Sequence, residues 1–304
     1  MTRSGVFKLG LAVVATLVVG GATLFELVEN GVLPGKLTLD KLDGACDVSH
    51  PPLHFAEPGP SYSRSFYSHA RNREVGYTIA YPPGHKLGDR LPLVVMLHGE
   101  GGDHTGTIGG LSPAKALALQ VDGAPLRPMA IVTVDGGRGY WNPHPGDDPM
   151  GMVVDELIPL VRRLGLGVAP HTTGVLGISM GGYGAILFAE KFPHLFRAAA
   201  AISPAVWTSY AQANGVNSAA YASSAAFASA DAVTHARALT GIPVRVASGN
   251  DDPFHPGVVA LAKVLPPDAI VELSAGCHSG PFFLQQTPPS LAFLSRHLGG
   301  AHDG

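Results

Sequence analysis

The sequence has few charged residues, few cysteines and no surplus of positive charge. Charged residues make up 14% of the 304 residues, and the formal net charge is −3. Without a basic surplus to neutralise phosphates, we expect no nucleic-acid partner. A hydrophobic content of 46% fits a compact core and argues against a disordered chain. The composition therefore predicts a globular protein, with one large domain or two small ones.

The two cysteines, Cys46 and Cys277, allow a single intramolecular disulfide. We predict that they form it in an oxidising compartment, and the alternative is a pair of buried free thiols. Cys277 directly precedes His278. The bond would therefore lie beside a histidine that is itself a candidate catalytic residue.

The N-terminus carries the features of an export signal. Arg3 and Lys8 precede an uncharged apolar run over residues 9–25, which Glu26 closes. The run has the minimum length of a membrane-spanning helix, and its small residues fit a cleavage site only in part. We predict an uncleaved signal anchor over residues 1–28, with a cleaved signal peptide as the alternative. Either one puts the rest of the chain outside the cytoplasm, in the cell envelope or secreted.

The remaining chain divides into a connector and one catalytic domain. Residues 29–60 are irregular and rich in proline, glycine and histidine, which indicates a connector. In residues 61–304, short apolar runs alternate with segments that suit helices, which indicates a mainly parallel sheet with helices on both faces. The stretch 204–241 is too long for a simple connection, so we predict a small, partly helical insert over the active site. The predicted strands are 75–80, 93–97, 131–134, 175–177, 198–202, 244–247 and 270–273, and the predicted helices are 150–164, 183–192, 256–264 and 288–297.

The strongest chemical signal is the G-x-S-x-G motif of residues 177–181, which has Ser179 at its centre. It lies between a predicted strand and a predicted helix, the context in which this motif presents a nucleophilic serine at the carboxyl end of a sheet. The turn is so tight that the residues flanking the serine must lack bulk. A chance Gly/Ser turn is the alternative in a chain with 39 glycines. The motif predicts an α/β-hydrolase fold with Ser179 as its nucleophile.

A serine nucleophile needs a base, and the base needs an orienting carboxylate; this fold supplies them in the chain order serine, acid, histidine. His278 follows the last predicted strand, at the sheet edge where the serine lies, and His255 is its competitor. The acid should follow the penultimate strand, where Asp251 and Asp252 are adjacent. We predict Asp252, because the proline after it fixes the turn, with Asp251 as the alternative.

Ester cleavage also builds a negative oxygen, which backbone N–H groups can stabilise. One N–H should come from Met180, the residue after the nucleophile. The other should come from Glu100, in the glycine-rich loop after strand 93–97. A carboxylate is unexpected beside a developing oxyanion, so we expect the Glu100 side chain to turn away. An ordinary β-turn at His98 and Gly99 is the alternative.

The 14 histidines form no pattern typical of metal ligands. No H-E-x-x-H spacing occurs, and two prolines between His50 and His54 prevent a regular helix there. The glycine pairs lack the fingerprint of a nucleotide site. We therefore expect neither a metal nor a cofactor.

The segments around His98-Gly99, 177–181, 249–252 and His278 resemble the putative-esterase branch of the α/β-hydrolase superfamily, over roughly residues 75–298. That branch includes esterase D-like enzymes and the secreted mycolyltransferases of actinobacteria. The resemblance implies acyl-ester hydrolysis or acyl transfer through an acyl-serine intermediate.

We therefore expect a serine esterase of the carboxylesterase type, acting on small-molecule or lipid esters and held at the membrane by its N-terminal apolar segment. An acyltransferase that moves an acyl chain to a sugar or lipid acceptor is the first alternative. A non-catalytic surface binding module on a hydrolase fold is the second.

Overall fold

The computed structural model describes residues 46–299 and two short upstream strands, β1 (Val18–Val19) and β2 (Ala22–Thr23), which pair antiparallel. The rest of the predicted signal anchor, and the connector up to residue 45, lie outside the described residues. In the described part of the chain, no helix combines the length and the apolar character needed to cross a membrane.

An eight-stranded mixed sheet forms the centre of the domain, with a small three-stranded sheet beside it. The remaining strands are β3 (His54–Phe55), β4 (Ser61–Ser68), β5 (Arg73–Ala80), β6 (Leu93–Leu97), β7 (Leu119–Val121), β8 (Ala124–Pro125), β9 (Ala130–Val134), β10 (Thr173–Ile178), β11 (Ala198–Ile202), β12 (Val244–Gly249) and β13 (Ile270–Ser274). The large sheet has the order β13-β12-β11-β10-β6-β9-β5-β4. The six strands from β13 to β9 are parallel, whereas β5 and β4 are added antiparallel. The predicted, mainly parallel sheet is confirmed.

The central strands are apolar throughout because both faces of the sheet are covered. Along β6, Leu93, Val95 and Leu97 pack into one hydrophobic cluster. Val94 and Met96 point to the opposite face and pack into a second cluster. Every residue of this strand is buried, as expected of a strand between two layers of helices.

The two edge strands differ from the prediction. The sequence pattern does not predict β4, because its apolar residues Tyr62 and Phe66 are separated by serines and Arg64. At the opposite edge, β13 is not covered on both faces: Ile270 is 46% exposed and Leu273 is 39% exposed. An edge strand has a neighbour on one side only, so an apolar run there is not evidence of full burial.

The helices lie on both sides of the sheet and in the connections above it. They are α1 (Pro113–Leu117), α2 (Pro149–Gly151), a π-helix (Met152–Leu157), α3 (Ile158–Arg162), α4 (Met180–Lys191), α5 (Tyr210–Val216), α6 (Ser224–Ser229), α7 (Ala232–His235), a 3-10 helix (Ala236–Leu239), α8 (His255–Ala262) and α9 (Gly280–His297). The predicted helix 150–164 thus consists of α2, the π-helix and α3.

The predicted start of the last helix is wrong. The helix begins at Gly280 and continues through Pro288 and Pro289, instead of starting at the first of these prolines. A proline lacks an amide N–H and is most often found in the first turn of a helix. In α9 the Thr287 hydroxyl donates to the carbonyl oxygen of Phe283 at 2.7 Å, one turn before the prolines. Side-chain hydroxyls can bond helix carbonyls in this way.

The stretch 204–241, predicted as an insert, contains α5, α6, α7 and the 3-10 helix. It packs against α4, the helix that follows Ser179. The Tyr183 hydroxyl donates to the carbonyl oxygen of Ala230, and the Tyr221 ring lies 6.3 Å from the Tyr183 ring. The insert therefore packs directly against α4, the helix that begins in the G-x-S-x-G motif of residues 177–181.

Glu190, near the end of α4, is a buried carboxyl group. Its side chain is 6% exposed, and neither oxygen has a hydrogen-bond partner among the described residues. Burial raises the pKa of Glu190 to about 9; nearby Asp231 acts in the same direction, and Lys191 opposes it. The group is therefore protonated at neutral pH.

We predict that Glu190→Gln raises the Tm, and that the gain increases between pH 5 and pH 9. The folded state keeps the Glu190 proton up to a pH of about 9, whereas the unfolded chain releases it near the ordinary pKa of 4.5. The folded state binds the extra proton in this window, so wild-type stability falls as pH rises, and glutamine removes that loss. Thermal unfolding at pH 5, 7 and 9 measures the effect, with the exposed Glu57→Gln as control. A Tm difference that is independent of pH would contradict it.

Candidate active site

Ser179 lies in the turn between β10 and α4, with φ 54° and ψ −121°. An added Cβ at Gly177 would lie 1.9 Å from the carbonyl oxygen of Gly181. An added Cβ at Gly181 would lie 2.0 Å from the carbonyl oxygen of Leu97. No side chain fits at either position, so glycine is required on both sides of the serine. The strained backbone presents Ser179 at the carboxyl end of the parallel strands.

The structure brings Ser179, His278 and Asp252 into one hydrogen-bonded chain. His278 Nε2 lies 2.8 Å from Ser179 Oγ, and His278 Nδ1 lies 2.9 Å from Asp252 Oδ2. A carboxylate only accepts hydrogen bonds, so Nδ1 carries the ring proton and Nε2 can accept from the serine hydroxyl. His255, the competing histidine, lies elsewhere, with its Nδ1 3.1 Å from the carbonyl oxygen of Gly249.

The Asp252 side chain is fully buried, and its second oxygen is also used. Asp252 Oδ1 accepts the backbone N–H of Phe254 at 2.8 Å, which holds the carboxylate in place. The neighbouring Asp251 has a different part in the loop: its backbone N–H donates to the carbonyl oxygen of Gly276 at 3.0 Å. This bond joins the loop that carries Asp252 to the loop that carries His278.

The predicted disulfide between Cys46 and Cys277 is present. It attaches the start of the described domain to the loop of His278, and Cys277 is fully buried. Three residues after Cys46, the carbonyl oxygen of Ser49 accepts from Gln285 Nε2 on α9 at 3.2 Å. Residues on both sides of His278 are therefore attached to the segment after residue 45.

The glycine-rich loop after β6 faces Ser179. An added Cβ at Gly99 would lie 3.4 Å from Cβ of Ser179. Glu100 and Met180 directly follow these two residues. Neither of their backbone N–H groups donates to another residue within 46–299, so both are available to a bound oxygen.

Arg138 explains how a glutamate is accommodated in this loop. Its Nη2 and Nε donate to Glu100 Oε1 at 2.7 and 3.2 Å. The guanidinium offsets the negative charge of the carboxylate, although the pair is partly exposed and its attraction is weakened by solvent. The sequence did not predict Arg138, because 38 positions separate it from Glu100 and no local motif connects them.

Aromatic rings surround the histidine of the hydrogen-bonded chain. The ring centroids of Phe254 and Phe283 lie 5.2 and 5.1 Å from that of His278. Trp207, at the start of the insert, lies 4.8 Å from Phe254. These rings restrict the position of the imidazole and partly shield it from water. Within the described residues, no three His, Cys, Asp or Glu side chains group in a way that could hold a metal ion.

Comparison with known proteins agrees with this geometry. The family described as "Putative esterase" matches residues 68–265. Similar solved structures include a ferulic acid esterase, 18% identical, with a TM-score of 0.68 over 79% of this chain and 99% of that chain. An S-formylglutathione hydrolase from Agrobacterium tumefaciens is 19% identical, with a TM-score of 0.64 over 82% of this chain and 99% of that chain. The fluorophosphonate-binding serine hydrolase FphF from Staphylococcus aureus is 15% identical, with a TM-score of 0.61 over 79% and 99%.

At these identities, the structural likeness shows the fold alone. No curated protein matches the chain. The family match, however, covers well over half of the chain and includes the motif around Ser179. The chain therefore belongs to the Putative esterase family and is a serine hydrolase with the α/β-hydrolase fold.

Proposed function

We propose that this esterase hydrolyses acyl or lipid esters through an acyl-serine intermediate, outside the cytoplasm. Ser179 is the nucleophile, His278 the general base and Asp252 the residue that orients the base. The observation that carries the proposal is the unbroken hydrogen-bond chain from Asp252 Oδ2 through the His278 ring to Ser179 Oγ. A binding module without catalysis has no need of this arrangement.

In the first half of the reaction, Ser179 Oγ attacks the carbonyl carbon of the ester while its proton passes to His278 Nε2. The carbonyl oxygen becomes negatively charged and accepts hydrogen bonds from the backbone N–H groups of Glu100 and Met180. Asp252 stabilises the imidazolium that forms. The C–O bond to the alcohol then breaks, and His278 donates its new proton to the departing oxygen.

In the second half, an acceptor attacks the acyl-serine ester. His278 takes a proton from the acceptor and then passes it to Ser179 Oγ as the bond between the acyl carbon and Oγ breaks. Water as acceptor gives a carboxylic acid, whereas a sugar or lipid hydroxyl gives a new ester. We propose water, because hydrolysis needs no acceptor site beyond the triad and the two oxyanion donors.

Two features support a location outside the cytoplasm. The disulfide between Cys46 and Cys277 needs an oxidising compartment to persist. The basic residues and the apolar run at the N-terminus are typical of a signal that directs export.

We predict that Ser179→Ala lowers kcat for a short-chain aryl ester by about 10³- to 10⁶-fold and leaves the fold intact. The alanine variant should also lose labelling by a fluorophosphonate probe, because the probe reacts with the activated hydroxyl. Ser65→Ala, at an exposed position on β4, is the matched control and should keep both properties. Unchanged turnover in the Ser179 variant would refute the assignment.

The same assay separates hydrolysis from transfer. The wild-type enzyme is given esters of increasing acyl-chain length, with and without a sugar acceptor in excess. We expect the free acid as the main product in both cases. Preferential appearance of the acylated sugar would overturn hydrolysis in favour of the acyltransferase, while leaving the role of Ser179 intact.

We predict that Cys46→Ser lowers both stability and turnover. Loss of a disulfide that closes a long loop costs about 2–4 kcal/mol of stability, and displacement of the His278 loop costs about 10- to 100-fold in kcat. Reduced wild-type enzyme should match the variant, and reductant should have no further effect on the variant. Full turnover in fully reduced wild-type enzyme would contradict the prediction. Thermal unfolding and ester hydrolysis are the measurements.

We predict that the full chain, expressed in a bacterial host, is recovered outside the cytoplasm. A charge in the middle of an apolar segment opposes its insertion, so Leu17→Arg should retain the protein in the cytoplasm, whereas Leu17→Phe should not. Cell fractionation with detection of the catalytic domain decides between the outcomes. Cytoplasmic wild-type protein would remove export from the proposal.

A further inference from the structure

His98 follows β6 directly, and both of its ring nitrogens are hydrogen-bonded inside the protein. The side chain is 5% exposed. Nδ1 lies 2.7 Å from the carbonyl oxygen of Gly99, and Nε2 lies 2.9 Å from the backbone nitrogen of Gly136. The triad does not use this histidine, so its fixed position requires a separate explanation.

The backbone partners of His98 define its tautomer. The Gly136 N–H can only donate, so Nε2 must present a lone pair to it. The ring proton is therefore on Nδ1 and is donated to the Gly99 carbonyl oxygen. Burial lowers the pKa of His98, which favours the neutral ring, although the bond to Gly99 opposes the shift.

The bond to Gly99 also determines the direction of the next amide. The Gly99 carbonyl and the Glu100 N–H belong to one planar peptide, and in a trans peptide they point in opposite directions. The Gly99 carbonyl oxygen accepts from His98 Nδ1 and also from the Gly102 N–H at 3.1 Å. Two donors at the carbonyl edge of this peptide therefore keep the Glu100 N–H pointing in the opposite direction.

The ring of His98 is itself held by Trp141, which is fully buried. The two ring centroids lie 5.0 Å apart, and Trp141 Nε1 donates to the carbonyl oxygen of His98 at 3.3 Å. Trp141 and Gly136 both lie in the loop after β9, so this loop makes the contacts that hold His98. The loop after β6, which faces Ser179, is thus attached to the loop after β9.

We propose that His98 is a positioning residue for the oxyanion hole, and that its Nδ1–H holds the Gly99–Glu100 peptide so that the Glu100 N–H is aimed at the developing negative oxygen. The inference rests on the proposed function, in which Glu100 is one of the two oxyanion donors. His98 touches neither the substrate nor the triad, and acts through the peptide that it orients. Preorganised donors of this kind contribute to the rate because they need no rearrangement during the reaction.

Two substitutions separate the two hydrogen bonds of the ring. In His98→Asn, the side-chain NH₂ can occupy the position of Nδ1 and still donate to Gly99, while the bond from Gly136 is lost. In His98→Gln, the side-chain oxygen can occupy the position of Nε2 and still accept from Gly136, while the bond to Gly99 is lost. Each variant thus loses one of the two ring bonds and the ring contact with Trp141, and keeps the bond from Trp141 Nε1 to its backbone carbonyl oxygen.

We expect His98→Gln to lower kcat by about 10²-fold with little change in KM, and His98→Asn to keep kcat within about tenfold of wild type. Thermal unfolding should show comparable losses of Tm in both. A trifluoromethyl ketone, which forms a negatively charged tetrahedral adduct, should bind His98→Gln more weakly by a factor similar to the loss of kcat. The matching methyl ketone should bind it unchanged. Equal losses of kcat in the two variants, or wild-type kcat in His98→Gln, would overturn the proposal.

A measurement on the wild-type enzyme keeps the proposal testable if either variant fails to fold. Nitrogen-15 NMR of the imidazoles should show His98 as the neutral Nδ1–H tautomer at pH 7. The Nε2–H tautomer or an imidazolium would overturn the proposed bond to Gly99. Ser179→Ala tests the triad independently. If this variant is inactive while His98→Asn and His98→Gln lose kcat equally, the positioning role is rejected and the proposed function stands.

Discussion

The backbone turn at Ser179 is the constraint on which the site depends. Gly177 and Gly181 are packed so tightly that a Cβ on Gly177 would overlap the carbonyl of Gly181, and a Cβ on Gly181 would overlap the carbonyl of Leu97. One of these carbonyls belongs to Leu97, the residue that pairs with Gly177 in the register of β10 and β6. Ser179 is therefore positioned by the central strands of the sheet, and its position does not depend on contacts of its own side chain. A rigid support of this kind keeps the hydroxyl within reach of its base.

Three further loops complete the site, and each is held by contacts outside the catalytic chain. The loops of Asp252 and His278 are joined by the bond from the Asp251 N–H to the Gly276 carbonyl, and the His278 loop is also attached by the disulfide at Cys277. The loop after β6, which carries Glu100, is bonded through His98 to Gly136. These supports reduce the freedom of the loops before substrate binds, which is the condition for electrostatic stabilisation of the transition state.

Three acidic residues illustrate how surroundings determine what a carboxyl group does. Asp252 is buried and accepts bonds from both the His278 ring and a backbone amide. Glu100 is partly exposed and has the Arg138 guanidinium beside it. Glu190 is buried without a partner among the described residues, so burial raises its pKa and it stays protonated. The same functional group is thus a buried hydrogen-bond acceptor at Asp252, a surface ion at Glu100 and a neutral core residue at Glu190.

The sequence by itself determined the fold class, the motif around Ser179, the order in which acid and base follow it, and the cysteine pair. These come from local patterns: apolar runs, glycines in a tight turn, and residues that follow predicted strands. Only the tertiary structure decided the pairing of Glu100 with Arg138, the bond from His98 to the Gly99 carbonyl, and the helix that continues through Pro288. The physical reason is that strands and tight turns depend on the conformational preferences of residues that are close together in the sequence. Contacts between separate loops arise only after the sheet has brought the carboxyl ends of its strands to one edge.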